Sequence, residues 1–266
     1  MTPINYRYFV RGSWLGPANE KPAVIGTKFL QTLDALSGID PLFTDWQFTG
    51  AWQIPEEHRL SFVPLVDGRK RIAEIVKAGV YMDDFNEPCP EYGHTVIATA
   101  GARGPRRVAF TATTTRQDFA LSFGEHDLVS DLSITKYSLF RAALLAISAA
   151  WDAQWAYAHA CRNDVVMVPI DFGSGVPAFR VDSAPQVPLD PSFPESIFHV
   201  PWIVYLSAQR AAGLKLAPEV LTEHTSGGGL LMSATKDRLD PTNPAHVRPA
   251  RILAETLIAC TGYASR

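Results

Sequence analysis

Hydrophobic and polar positions along the chain predict a strand-rich middle with helices on either side of it. Residues 6–14 alternate between the two kinds of side chain and predict a strand. Apolar residues at helical spacing predict helices over 20–36, over 67–79 with Asp67 as the N-cap, and over 136–151. The last of these is apolar almost all round, which predicts that it is buried against a sheet.

Between residues 94 and 135 the pattern changes to short segments rich in Val, Ile, Thr and Phe. The segments HTVIAT, RVAFTATTT, DFALSF and LVSDLSI are separated by turn sequences, which is typical of an antiparallel meander. Further on, WIVYL predicts a strand, VLTEHTSGGGLLMSAT a hairpin, and residues 244–260 a final helix. The chain is therefore predicted to adopt an α+β fold, in which an antiparallel sheet (meander plus C-terminal hairpin) is packed by several helices.

The segment 169–201 carries seven prolines and little periodicity. We interpret it as a long, ordered surface connection, because its phenylalanines can anchor it to the rest of the fold. These are Phe172, Phe179, Phe193 and Phe198. Residues 1–266 are predicted to form a single domain, at a length near the upper limit for one hydrophobic core.

Composition narrows the class of protein. Hydrophobic residues make up 47% of the chain and charged residues 19%, with a formal net charge of −3. These values favour a globular protein without bulk attraction to nucleic acid or anionic membranes. The first residues lack the basic and apolar regions of a signal peptide, and the most apolar segment, 142–151, is too short to span a bilayer. Because the three cysteines of the chain are widely spaced, we expect a reduced compartment and therefore a cytoplasmic protein. From the net charge and the lack of a membrane span, we expect no nucleic-acid or membrane partner.

The stretch SGGGLLMSATKD, residues 226–237, has the glycines and the lysine of a phosphate-binding loop. A phosphate loop, however, places its glycines between a strand and a helix, so that helical N–H groups point at the phosphate. Here the glycines precede a predicted strand, 230–235, and Lys236 follows it. We therefore interpret residues 227–229 as hairpin glycines that supply positive φ angles.

No other stretch has the pattern of a catalytic site. FGSGV lacks the glycine two places before Ser174 that a nucleophile elbow requires. The seven histidines are isolated, without HExxH or His-x-His spacing. His126 and Asp127 have the chemistry of an acid and a base, but a polar turn between strands is the interpretation we favour. We predict no catalytic residue, no cofactor and no metal.

The segment YMDDFNEPCPEYG combines acidic and aromatic residues. Asp83, Asp84, Glu87 and Glu91 lie within nine residues, and no basic residue lies among them. Two prolines are expected to stiffen the segment, and four apolar side chains are interleaved with the carboxylates. These residues are Pro88, Pro90, Tyr81, Met82, Phe85 and Tyr92. One interpretation is a solvated loop with a few anchoring rings. The other is a pre-organised acidic patch that meets a basic partner, such as a nucleic-acid enzyme, and makes the four carboxylates partner-binding residues.

Several blocks of the sequence resemble one known family. The N-terminal strand that ends in Trp14, the following helix and SGIDPLFTDW are similar to the bacterial Immunity protein 52 family. So are the block DFNEPCPEYGHTVIAT and the C-terminal GGGLLMSATKDRLDPTNPAHVRPARIL. The resemblance covers most of the chain apart from the Pro-rich segment, and its motifs are structural rather than catalytic.

The resemblance implies an α+β protein without enzymatic activity, made beside a toxin that it binds and silences in the producing cell. It also implies the partner, a toxin effector with a restriction-endonuclease-like domain, delivered by contact-dependent or type VI secretion systems. The motif residues are implied to shape the fold; they are Trp14, Trp46, Pro90, Gly93, Gly228 and Pro244. Two alternatives stay open: a small-molecule hydrolase with a site between the sheet and the Pro-rich segment, and a structural subunit of a larger assembly.

Overall fold

The computed structural model describes residues 6–17, 19–50, 61–85, 87–101, 108–123, 137–162, 167–171, 177–181, 201–237, 239 and 243–260. Over these residues the strands are β1 (Tyr6–Trp14), β2 (Gln47–Gly50), β3 (Ser61–Pro64), β4 (Thr95–Ala100), β5 (Val108–Thr113), β6 (Asp118–Phe123), β7 (Ala153–Arg162), β8 (Met167–Asp171), β9 (Pro177–Val181), β10 (Ile203–Leu206), β11 (Leu221–His224) and β12 (Leu230–Ser233). The helices are α1 (Pro22–Ser37), α2 (Leu65–Gly68), α3 (Ile72–Ala78), α4 (Tyr137–Trp151), α5 (Ala208–Ala211) and α6 (Pro244–Cys260). The predicted α+β class is confirmed.

Within the described part of the chain, ten strands form a sheet in the order β11-β12-β10-β7-β1-β6-β5-β4-β2-β3, and β8 pairs with β9. The middle of the sheet contains an antiparallel meander of β4, β5 and β6, as predicted. The predicted C-terminal hairpin is β11 with β12, and β12 also pairs antiparallel with β10. The fourth segment of the predicted meander, LVSDLSI, lies outside the described residues.

The chain divides into two compact units, to which β1 and α4 each contribute residues. The first unit comprises Met1–Val10, Leu128–Leu144 and Gln154–Arg266, and the second comprises Arg11–Asp127 and Leu145–Ala153. In the first unit, the Phe140 ring contacts those of Tyr8 and Trp202, with 5.6 Å between ring centroids in each pair. The single domain expected over 1–266 stays a prediction.

The second unit is built around α1. Proline at the start of this helix suits a position whose N–H would have no helical partner. Its apolar stripe is buried, and the Phe29 ring lies 5.0 Å from that of Phe110 on β5. Thr32 Oγ1 accepts a hydrogen bond of 2.9 Å from Trp151 Nε1, which satisfies a buried indole that also packs against Trp14. The predicted stripe on this helix is therefore the one that builds the core.

Asp67 is not an N-cap, and the helix predicted over 67–79 is broken. The chain leaves β3 and enters α2 at Leu65, so that the N-cap is Pro64, three residues before Asp67. The Leu65 N–H donates to the Trp46 carbonyl at 2.9 Å. Asp67 therefore lies inside a four-residue helix. A 3₁₀ turn, Arg69–Arg71, separates this helix from α3, which ends at Gly79 as predicted.

The segment 169–201, which is predicted to be a long, ordered surface connection, contains strand residues in two stretches. Residues 169–171 belong to β8 and residues 177–181 form β9, and the two strands pair antiparallel with Pro169 opposite Phe179 and Asp171 opposite Pro177. Each strand of a two-stranded sheet is an edge strand, so a proline can occupy it where its missing N–H faces away from the ladder. Residues 172–176 and 182–200 lie outside the described residues.

Candidate functional site

The candidate site is the segment between α3 and β4, residues 80–94, which we call the 80–94 loop. It folds back on itself like a small hairpin, with isolated bridges that join Val80 to His94 and Met82 to Pro88. Tyr81 lies between these bridges: its N–H donates to the Gly93 carbonyl at 2.9 Å, and its carbonyl accepts from the Cys89 N–H at 2.8 Å. The loop is therefore held by its own backbone hydrogen bonds.

A single carboxylate organises the tip of the 80–94 loop. Asp83 Oδ1 accepts hydrogen bonds from the N–H groups of Phe85, at 2.8 Å, and Glu87, at 2.9 Å. The Asp83 N–H donates in turn to the Glu87 carbonyl at 3.1 Å. Aspartate is suited to this position because its short side chain reaches the N–H groups of residues that follow it closely. Asp83 thus fixes the conformation from which its neighbours project.

The base of the 80–94 loop depends on two residues of the CPEYG sequence. Pro90 begins a 3₁₀ turn, Pro90–Tyr92, and its carbonyl accepts from the Gly93 N–H at 3.0 Å. Gly93 has φ 95° and ψ −161°, a backbone region that is essentially restricted to glycine. These two motif residues therefore act through the backbone.

All four predicted partner-binding carboxylates lie in this loop, but they differ in exposure. Asp84, Glu87 and Glu91 are exposed, whereas Asp83 is half-buried and its carboxylate is engaged by the loop backbone. The sequence predicts all four as contact residues and does not distinguish the structural role of Asp83. The signal was present in the sequence, because an aspartate before a tight turn commonly accepts from the N–H two residues later. Which of them bind a partner stays a prediction.

Two titratable groups at the base of the loop have pKa values shifted in the direction that favours their neutral forms. Partial burial, followed by the negative charges of Glu91 and Asp83, raises the pKa of the Cys89 thiol. Burial lowers the pKa of His94, and a hydrogen bond with the Val76 backbone opposes that shift. A neutral thiol is a poor nucleophile, since the thiolate is the reactive form. The shifts therefore favour a structural role for both groups.

Outside this loop, the second unit contains a cavity of about 420 Å³. Trp46 and Leu65 contribute apolar surface to it, and Ser37 and Thr44 contribute hydroxyls. Those hydroxyls already donate to backbone carbonyls: Ser37 Oγ to Phe43 at 2.8 Å and Thr44 Oγ1 to Pro41 at 2.7 Å. Neither is paired with a base in the way that nucleophilic catalysis requires.

Other sequence candidates add no chemistry to the described structure. His126, Asp127 and Ser174 lie outside the described residues. So does most of the Pro-rich segment 169–201, which would form one side of the site in the hydrolase alternative. Across the described ranges, no group of three or more His, Cys, Asp or Glu side chains is arranged to hold a metal ion. No helix among those same residues is long and apolar enough to cross a bilayer.

The glycines of SGGGLLMSATKD lie in the β11–β12 hairpin and not before a helix. The Gly228 N–H donates to the Thr225 carbonyl at 2.9 Å, and Gly228 itself has φ 77°. A turn followed by a left-handed residue is a standard three-residue hairpin connection. The predicted positive φ therefore holds for Gly228 but is wrong for Gly227 and Gly229. Gly229 is needed for space instead, because a Cβ there would lie 2.7 Å from the Tyr205 ring and 2.9 Å from the Leu206 carbonyl oxygen.

Comparison with known proteins finds similarity to solved structures. No family model and no curated protein sequence matches the chain. The fold is similar to a solved structure described as Pseudomonas aeruginosa T6SS protein PA0821, with a TM-score of 0.47 and 12% sequence identity. The alignment covers 96% of this chain and 72% of that chain. A likeness at this level does not extend to activity.

Proposed function

We propose that this protein is a cytoplasmic immunity protein, which binds a toxin encoded beside it and neutralises that toxin stoichiometrically. The observation that carries the proposal is the 80–94 loop, where exposed carboxylates and exposed aromatic side chains share one hydrogen-bonded frame. Aromatic side chains are enriched at protein–protein interfaces, and charged residues around them steer association. The sequence resemblance to the Immunity protein 52 family supports the same function.

The acidic character of the loop suits a nuclease toxin with a restriction-endonuclease-like domain. A nuclease needs basic surface to bind the phosphates of its substrate. A negative surface is attracted to the same region and competes with the nucleic acid for it. Asp84, Glu87 and Glu91 are exposed and free of basic neighbours in sequence, so their charges are available to such a partner.

The test uses the product of the gene adjacent to that of this protein. We expect the two proteins to form a complex that survives gel filtration, and co-expression to restore growth to cells that express the adjacent gene product alone. Titration of the purified toxin with this protein should reach full inhibition at about one equivalent, immediately after mixing. Stoichiometric, time-independent inhibition separates a binding protein from an enzyme, since an enzyme acts below one equivalent and progressively.

Two results would contradict this function. Absence of a complex between the purified proteins, together with absence of growth protection, would exclude the adjacent gene product as the partner and remove the basis of the proposal. Inhibition that develops with time at a tenth of an equivalent would assign an enzymatic function instead, and would favour the hydrolase alternative.

A further inference from the structure

The 80–94 loop exposes an aromatic ring of the kind that the rest of the described chain buries. Phe85 is 85% exposed, while every other phenylalanine whose side chain is described is buried or half-buried. A ring left in water loses the favourable free energy of burial. Contiguous exposed apolar surface, in contrast to isolated apolar residues, is characteristic of interaction sites.

Phe85 shares the loop with other exposed apolar side chains, of which Tyr81 and Tyr92 form a contiguous surface. Tyr81 and Tyr92 are 48% and 55% exposed, and their rings contact each other with centroids 5.6 Å apart. Met82 is exposed as well, so four of the eight exposed large hydrophobic residues in the described chain belong to this loop. Large aromatic residues bring contact area at low entropic cost, which is why they dominate binding energy at interfaces.

The backbone of Phe85 is also held in position before any partner binds. Its N–H donates to Asp83 Oδ1, and the Met82–Pro88 bridge closes the backbone beneath it. Association orders side chains and loops at an interface, and a frame that is already ordered reduces that entropic cost. The arrangement is the one expected of a binding anchor.

We propose that Phe85 is the anchor of partner binding, inserted into an apolar pocket of a basic protein surface, with Asp84, Glu87 and Glu91 paired to the Lys and Arg residues around that pocket. The inference rests on the proposed function and assigns its main contact residue. The negative charge of the loop favours a basic protein as the partner. Nucleic acid and anionic lipid would be repelled by the loop, and so would a second copy of this chain, which carries the same carboxylates. Asp83 is a positioning residue, since its carboxylate serves the loop backbone.

The experiment measures binding kinetics of the immobilised product of the adjacent gene with wild type, Phe85→Ala, Phe85→Tyr and Leu15→Ala. Leu15 is the matched control, because it is 66% exposed but lies outside the loop. We expect Phe85→Ala to raise Kd at least about 30-fold, the factor that corresponds to the hot-spot threshold of about 2 kcal/mol. The change should appear mainly in the dissociation rate. Phe85→Tyr should keep most of the affinity, and Leu15→Ala all of it.

Two further readouts make the assignment specific. The effect of Phe85→Ala should be as large at high salt as at low salt, because apolar burial is not screened by ions. All variants should melt as wild type does, because Phe85 and Leu15 are exposed. If Phe85→Ala binds as tightly as wild type, the assignment of Phe85 as the binding anchor is overturned while the proposed function stands. If wild type itself does not bind, both are overturned.

Discussion

Backbone conformation at single positions determines what the glycines of the β11–β12 hairpin contribute. Gly228 adopts a positive φ of 77°, whereas Gly227 has open space around it. We expect Gly228→Ala to lower the free energy of unfolding by about 1 kcal/mol, because an L-residue is strained in the left-handed region. Gly229→Ala should cost more, since the added Cβ meets the Tyr205 ring and a backbone carbonyl.

Urea denaturation of the three variants checks this prediction, with Gly227→Ala as the matched control. Alanine at position 227 should leave the stability nearly unchanged or raise it slightly, by restricting the unfolded chain. Equal losses at positions 227 and 228 would show that the glycines act through something other than backbone conformation. A variant that melts normally but fails to bind the toxin would make the hairpin a contact site.

A buried histidine at the base of the 80–94 loop makes the stability of the protein depend on pH. Burial lowers the pKa of His94 from its usual value of about 6.5. Between that value and the lowered one, the unfolded chain binds a proton that the folded protein does not. The stability is therefore fully present above about pH 6.5 and decreases as the pH falls toward the folded-state pKa. We expect His94→Asn to remove this part of the pH dependence, as measured by urea denaturation from about pH 5 to about pH 7.5. Parallel curves for the two proteins would contradict it.

At the scale of elements, regular periodicity made the prediction reliable. The helices predicted over 20–36, 136–151 and 244–260 begin within two residues of α1, α4 and α6, because their apolar stripes pack on the sheet. The helix over 67–79 failed because its start is set by a tertiary hydrogen bond, Leu65 N–H to the Trp46 carbonyl, that no local pattern encodes.

The candidate site was predictable in composition but not in internal organisation. The acidic and aromatic residues of the 80–94 loop are visible in the sequence. Their exposure is not, because it depends on which side chains the neighbouring elements cover. Asp83 holds the tip of the loop through hydrogen bonds, whereas Asp84 is exposed to solvent. This difference between the two aspartates follows from loop geometry alone.

The structural role of Asp83 can be tested with variants that separate its charge from its hydrogen bonds. Asp83→Ala removes the acceptor for two N–H groups, whereas Asp83→Asn keeps an acceptor oxygen and removes the charge. We expect amide exchange at Phe85 and Glu87 to accelerate about fivefold in the alanine variant, from about 1 kcal/mol per hydrogen bond. The asparagine variant should exchange nearly as wild type does and bind the toxin more tightly than the alanine variant. Equal exchange in both variants would assign the effect to charge.

For the whole molecule, the local distribution of charge matters more to association than the net charge. The double variant Asp84→Lys with Glu87→Lys changes the formal net charge from −3 to +1, because each reversal adds two charges. Asp237→Lys with Glu255→Lys makes the same change at exposed residues outside the 80–94 loop and is the matched control. A difference between the two double variants therefore reports on position and not on total charge.

Reversal within the loop should slow association with the toxin and weaken binding by about 2 kcal/mol, as for close interfacial charge pairs. The control should bind nearly as wild type does, and both variants should melt at nearly the wild-type temperature, because exposed charges contribute little to folding. Added salt should weaken the wild-type complex and affect the reversed one less, since attraction between the surfaces is screened. If the loop variant binds with native affinity at low salt, the 80–94 loop is ordinary surface. The interface must then be sought first among the acidic residues of the Pro-rich segment, Asp182, Asp190 and Glu195.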